Sequence, residues 1–141
     1  GLFGAMDPSA DGFGHLVETA MYAQRFHEVA NLSYARWGAQ DNEVDMIECN
    51  AALMPVFALE IKWTDQIGAI GESGALAKFV RANKLRDAWI STHRCFEERK
   101  LDGYSLKLWP SAVLAFVFGS QAIRGKIAGL NAQVSVTTDG V

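Results

Sequence analysis

The chain of 141 residues is half apolar and 21% charged, with a formal net charge of −3, two cysteines and three histidines. A chain of this length supports one compact domain with a core of its own and is short for two. Its longest apolar run, residues 112–118, falls far below the roughly 18 residues of a membrane helix, and Cys49 and Cys95 belong to no CxxC or Cys/His grouping, which argues against a membrane span, a disulfide framework and a thiolate zinc site. A soluble, cytoplasmic protein is expected. Residues 1–8 have neither a basic flank nor an apolar stretch, so no signal peptide is expected there, and the absence of Met at position 1 suggests a piece of a longer polypeptide. The charge is unevenly spread: residues 1–72 hold 11 acidic and 3 basic side chains (net −8), residues 73–141 hold 5 acidic and 10 basic (net +5). Either the halves neutralise each other in the fold, or the basic half forms a phosphate-attracting rim around an acidic site.

Gly12 and Gly14 precede residues 15–27, which contain no Gly or Pro. Leu16, Val17, Ala20, Met21 and Ala23 form an apolar stripe there, and Glu18, Tyr22 and Arg25 share a flank, which predicts a helix. Asn31 ends it, and 32–37 reads as a strand joined through a turn-rich loop, 38–42, to a second strand, 43–48. A third strand is expected over 55–63. Ser73 is positioned to cap a helix reaching Asn83, with Leu76, Phe79 and Val80 inward and Lys78, Arg81 and Lys84 outward, and 85–92 follows as a strand. Strand, helix, strand with short joints predicts a βαβ unit whose strands, 55–63 and 87–92, are parallel with a right-handed crossover. Residues 93–102 are expected to be irregular or briefly helical and 104–109 a strand. Pro110 is suited to open a helix over 111–118 that Gly119 interrupts, with a further short helix over 120–128 and a frayed or disordered tail over 130–141.

Alternation puts Glu43 and Asp45 on one strand face and Glu60 and Lys62 on another, with Val44, Met46, Phe57, Leu59 and Ile61 turned the opposite way. Charges thus gather where core residues would otherwise sit. Phosphodiester hydrolysis needs a divalent cation held by several hard oxygens and a positioned cationic group, and Asp45, Glu60 and Lys62 are of those types on adjacent strands. Lysine two residues after the acid stays on the acid's face. Glu18 supplies a third carboxylate if the first helix packs across the open end of the sheet.

The order of a helical Glu18, a hairpin, Asp45, Glu60-Ile61-Lys62, then helix and strand resembles the PD-(D/E)xK nuclease fold. That implies an α/β architecture with a restriction-endonuclease-like mixed sheet flanked by helices. More narrowly, the stretches 14–18, Tyr34-Ala35-Arg36, Glu43-Val44-Asp45, Glu60-Ile61-Lys62 and 106–110 are similar to the nuclease-like C-terminal domain of prokaryotic AAA-class P-loop ATPases, a resemblance covering roughly residues 12–120. It implies a single domain, 1–141, that hydrolyses DNA with Mg²⁺ or Mn²⁺. Asp45 and Glu60 would be the metal-binding acids, Glu18 an added helical acid and Lys62 the catalytic lysine. An ATPase domain would precede residue 1 in the same polypeptide, and homodimers are common in the fold. Val44 stands where the pattern usually has Pro before its first acid. Residues 68–74 have glycines but no following Lys-Ser/Thr, so they read as a loop and helix start rather than a phosphate cradle.

Blander readings stand beside these. Glu60 and Lys62 can be a half-exposed pair on an edge strand, worth under about 1 kcal/mol. Glu18 can be a solvated helix residue paired with Arg25. His15, His27 and His93 read as caps or surface groups, and the four tryptophans as core and sheet-edge packing. A nuclease-fold module that binds DNA or protein without cutting is the alternative function.

Overall fold

The computed structural model describes residues 7, 12–26, 28–38, 42–68 and 70–138, without the side chains of 70–71 and 127–138. The elements are α1 (Phe13–Phe26), β1 (Leu32–Trp37), β2 (Asn42–Cys49), β3 (Pro55–Ile61), the single turn α2 (Ile70–Ser73), α3 (Ala75–Ala82), β4 (Asp87–Thr92), β5 (Glu97–Leu101), β6 (Tyr104–Pro110) and α4 (Ser111–Thr138). The six strands make one mixed sheet in the order β1-β2-β3-β4-β6-β5. The pairs β1–β2, β2–β3 and β5–β6 are antiparallel, whereas β3–β4 and β4–β6 are parallel. The fold is therefore α/β with a mixed sheet and flanking helices, and the parallel β3–β4 pair is the one its sequence pattern predicts. His27, residues 39–41 and residues 139–141 lie outside the described residues.

Each sheet face has its own core. On one, Leu76, Ala77 and Val80 of α3 pack against Val44, Ala58, Ile90 and Leu108 of the strands. On the other, Met21 of α1 and Leu114 and Phe118 of α4 cover Met46, Leu59 and Ile61. Every one of these residues is buried, so the central strands β3 and β4 are apolar on both sides, as expected of parallel strands under helices. Among the described residues no helix is long and apolar enough to cross a membrane.

Several local expectations give way to tertiary context. The N-cap of α3 is Gly74, with no side-chain capping bond, rather than Ser73, whose place is taken by the extra turn α2. At the other end Leu85 N–H bonds Val80 C=O at 3.0 Å and Lys84 N–H bonds Arg81 C=O at 3.2 Å, with Lys84 at φ +55°; this helix-ending motif delays β4 to Asp87. Residues 97–101 form an edge strand, not an irregular or helical segment. Its Glu97–Arg99 and Glu98–Lys100 pairs, each 2.8 Å, charge an outer strand that would otherwise offer unpaired backbone to another chain. Gly119 does not interrupt α4, which runs continuously from Ser111 through 120–128 and keeps a helical backbone to Thr138. A Cβ at Gly119 would come within 2.6 Å of Gln24 Nε2, so the glycine marks where α1 crosses α4.

The buried side of α1 is also rotated from the expected stripe. Met21 is buried with Val17 and Tyr22 packed beside it, while Leu16, Ala20 and Ala23 are exposed. Arg25 explains the rotation: its Nε and Nη2 form a fork onto the two carboxylate oxygens of Glu48 on β2, Nη2–Oε2 at 3.0 Å. Its Nη1 donates to Gln121 Oε1 of α4 at 2.8 Å, and its guanidinium lies 4.8 Å from the Phe118 ring centre. Arg25 therefore pairs with Glu48 rather than with Glu18.

Candidate functional site

A bulge on β2 sets the site. Ser33 pairs with Ile47 and Ala35 with Val44, so between these pairs one residue of β1, Tyr34, opposes two of β2, Asp45 and Met46. The extra residue puts Val44 and Ile47 in the α3-side core and Met46 in the α1/α4-side core. Val44 and Met46 thus face opposite ways, correcting the strict alternation expected of this segment. Bulges re-aim side chains in this manner. Beyond the β2–β3 pair nearest the bulge, Met46 with Leu59, Asp45 Oδ2 accepts the Ile61 N–H at 2.6 Å. A carboxylate thus binds the backbone where the ladder stops.

Lys62 is the first residue past β3, which ends at Ile61 rather than at Trp63. Its backbone is held by the fully buried Ser91 of β4: Lys62 N–H donates to Ser91 Oγ at 3.0 Å, and the Ser91 hydroxyl lies 3.2 Å from Lys62 C=O. The following loop is braced by Asp65, whose Oδ1 accepts the N–H groups of Arg94 and Cys95 at 2.6 and 2.8 Å. The Arg94 bond first, and then that from Cys95, holds the Asp65 carboxyl below its ordinary range. Trp63 sits between Phe13 and His93, ring centres 4.9 and 4.4 Å away. The Lys62 side chain reaches back to Glu60, Nζ–Oε1 2.7 Å, with Glu60 12% and Lys62 35% exposed. A partly desolvated pair is not the weak, solvated edge contact of the blander reading, because β3 lies inside the sheet.

Asp45 and Lys62 line a cavity of about 490 Å³ with Glu18, Glu43 and His15. Burial raises the Asp45 pKa, the Ile61 N–H and the Lys62 charge oppose that, and Glu18 and Glu43 add to it. Glu60 is raised by burial and then by the Asp45 charge, against its bond to Lys62. For Lys62, burial works against the ammonium, but the Glu60 bond and the charges of Glu60, Asp45 and Glu18 outweigh it and lift the pKa above the ordinary lysine value. Four carboxylates thus act on one another around one cation. The structure brings Asp45, Glu60 and Lys62 together and sets Glu18 at the cavity wall, where its Oε2 lies 3.6 Å from His15 Nδ1.

Excess negative charge and hard oxygens suit Mg²⁺ or Mn²⁺. Glu60 Oε2 adds a more specific sign: it is buried and has no hydrogen-bond partner, a costly state that a cation or a proton would relieve. Among the described residues no set of three or more His, Cys, Asp or Glu side chains is already assembled to hold a metal. The acids therefore fit a divalent cation as a partial set centred on Asp45 and Glu60.

Sequence reasoning passed over Ser91, Asp65 and the place of His15 in the cavity. Ser91-Thr92 ending an apolar strand was a legible signal for the first, since a buried hydroxyl must find partners. Asp65 depends on two loops meeting across 29 residues of sequence, and His15 on where α1 packs, and neither carries a local mark.

The raised acids have a consequence for stability. An acid whose folded pKa exceeds its unfolded value gives stability that is full below the unfolded pKa and is lost as pH rises through the folded one. Asp45→Asn, which keeps an oxygen to accept the Ile61 N–H, is thus expected to melt higher than wild type at pH 7. The gain is expected to be a few degrees, at roughly 2–4 °C per kcal/mol for a chain near this size. The difference should shrink as pH is lowered towards 4. Thermal unfolding across that range checks it, and an equal or lower Tm at pH 7 contradicts the assignment.

No family model, no curated protein and no solved structure matches this chain.

Proposed function

We propose that the domain is a Mg²⁺- or Mn²⁺-dependent nuclease that hydrolyses phosphodiester bonds of DNA, as the resemblance to PD-(D/E)xK nucleases implies. The observation that carries this reading is the orphaned, buried Glu60 Oε2 beside Asp45, with the Lys62 ammonium 2.7 Å from the other Glu60 oxygen. Asp45 and Glu60 would hold the cation, with Glu18 at the cavity wall as the added helical acid. A cation held there would supply charge neutralisation and an activated water. The water oxygen bonds phosphorus as the bond to the leaving sugar oxygen breaks; the water's proton passes to solvent, and the leaving oxygen takes one up. Lys62 stays protonated through neutral pH because its pKa is raised, so it acts as a fixed positive charge and not as a base. Its contribution is to stabilise charge on the phosphate oxygens in the transition state. Hydrogen bonds from Ser91 to the Lys62 backbone fix where that charge sits. The same reading takes the chain as the C-terminal part of a cytoplasmic, prokaryotic ATPase, with a homodimer as one possible assembly.

A second reading is favoured by one feature: the Lys62 ammonium already pairs with Glu60. On that reading the domain binds DNA or protein for its parent ATPase without cutting. Calorimetric titration with Mn²⁺ separates the two. The nuclease reading expects binding in the millimolar range or tighter, abolished by Asp45→Ala; no heat of binding at millimolar Mn²⁺ favours the non-cutting module.

A further inference from the structure

The long helix α4 has one side committed to the domain. Leu114 and Phe118 are buried in the core, Ser111 Oγ donates to Thr92 C=O at 3.0 Å, and Gln121 Oε1 accepts from Arg25. Steps of three and four residues keep these four on one face. Val113, Phe116, Ser120 and Ile123 form a second face with the same steps, centred roughly 160° round the helix at about 100° per residue. Phe116 is 73% exposed, Ile123 61% and Val113 37%. An aromatic ring and two branched side chains in one exposed row, on a helix already anchored from behind, form a patch of the kind that meets a partner.

The row does not stop where the domain-facing side ends at Gln121. In the sequence Ile127, Leu130, Val134 and Thr137 follow at steps of four, three, four and three, and the helical backbone continues through them to Thr138. Residues 113–137 thus keep a 3.5-residue period for more than three heptads, a seam about 37 Å long at 1.5 Å per residue. Six of its eight seam positions are apolar, and three of the four that open a heptad, Val113, Ile127 and Val134, are β-branched. That is the pattern of a two-stranded coiled coil, and packing against the domain does not account for it, because the seam lies on the far side of the helix.

We infer that α4 pairs with α4 of a second copy of this chain as a parallel, in-register coiled coil through residues 113–137. The charges beside the seam select both partner and direction. In a parallel pair the last position of each heptad lies beside the fifth position of the next heptad on the other helix. Gly119 then neighbours Arg124 of the second copy, and Lys126 neighbours Asn131, so no like charges meet and the surface is self-complementary, as a two-fold interface requires. Antiparallel pairing over the same seam brings Arg124 to Arg124 and Lys126 to Lys126, and like charges so placed oppose association. The pairing is independent of the nuclease reading, since the carboxylate cavity is built by α1, β2 and the end of β3 and not by α4.

Sedimentation velocity of the 141-residue chain from about 1 to 100 µM should show a concentration-dependent dimer. Phe116→Glu/Ile123→Glu sets four carboxylates into each dimer seam and should weaken it at least about 100-fold, leaving monomer at about 100 µM. Both side chains are exposed, so this variant should still unfold cooperatively. Met54→Glu, at an equally exposed apolar residue away from α4, should dimerise as wild type. Direction is read by Ser120→Cys in a Cys49→Ser/Cys95→Ser background treated with oxidised glutathione. A parallel pair brings the two introduced thiols within the roughly 4.4–6.8 Å Cα separation of a disulfide and gives a covalent dimer, whereas antiparallel overlap of the seam sets them about 15 Å apart along the helix. A wild-type chain that stays monomeric at about 100 µM overturns the inference. So does a dimer undiminished by Phe116→Glu/Ile123→Glu, which would use another surface, and so does a dimer that Ser120→Cys fails to link.

Discussion

Lys62→Ala is expected to lower Mg²⁺-dependent cleavage of DNA by about 10²- to 10³-fold, the usual cost of removing one charge-stabilising donor from a transition state. The loss should fall on kcat, because a group that meets charge developing on the phosphate does little for the ground state. Lys62→Arg should recover little, since a planar fork cannot occupy the position of a compact ammonium held 2.7 Å from Glu60. The variant should still fold: the Lys62 backbone, not its side chain, bonds Ser91, although Glu60 loses a partner. The pH profile adds an independent check. Asp45 and Glu60 bind a cation only when ionised, and their raised pKa values put the rising limb above the ordinary carboxylate range, while the raised Lys62 pKa leaves no falling limb from this lysine below about 10. Plasmid nicking and single-turnover cleavage are the measurements, and nicking left intact by both Lys62→Ala and Asp45→Ala would falsify the assignment.

Arg25→Ala is expected to destabilise the fold by about 3–5 kcal/mol, the range for removing one member of a buried pair. That is a third or more of the stability of many domains. Arg25 and Glu48 are only 15% and 11% exposed, so the remaining carboxylate would be left poorly solvated and without its fork. The substitution also removes the bond to Gln121 and the guanidinium over Phe118, loosening α1 from α4 as well as from β2. Arg25→Met/Glu48→Met should regain much of the loss, because an apolar pair removes the stranded charge. Urea unfolding of both variants decides it; a double variant less stable than Arg25→Ala would mean that the pair contributes more than the burial of its carboxylate costs. Since α1 also carries Glu18, Arg25→Ala should weaken Mn²⁺ binding, a link between packing and site.

The contact between Glu60 and Lys62 was legible in the sequence because it is local. Period-two spacing carries over from Glu60 to Lys62, the first residue past β3, and leaves the two side chains in contact at 2.7 Å. The same rule failed at Met46, where one inserted residue on β2 reverses the facing, and nothing within residues 43–48 marks the insertion, which is defined by the register against β1. Residues 97–101 escaped for a related reason: a strand exposed on its outer edge and satisfied by its own charges has no apolar alternation to detect. Gly119 misled because a glycine weakens a helix by propensity, while here α1 crosses α4 at that point.

By itself the sequence determined the βαβ unit, the parallel pairing of β3 with β4, and the identity of the charged residues set among apolar strands, all of which follow from spacing along a single segment. Only the tertiary structure decided that Arg25 turns to Glu48 and away from Glu18, that Ser91 and Asp65 hold the Lys62 loop, and that Glu60 keeps one buried oxygen without a partner. Those contacts join residues 23 to 30 positions apart, and their strength depends on burial, which no residue carries as a property of its own.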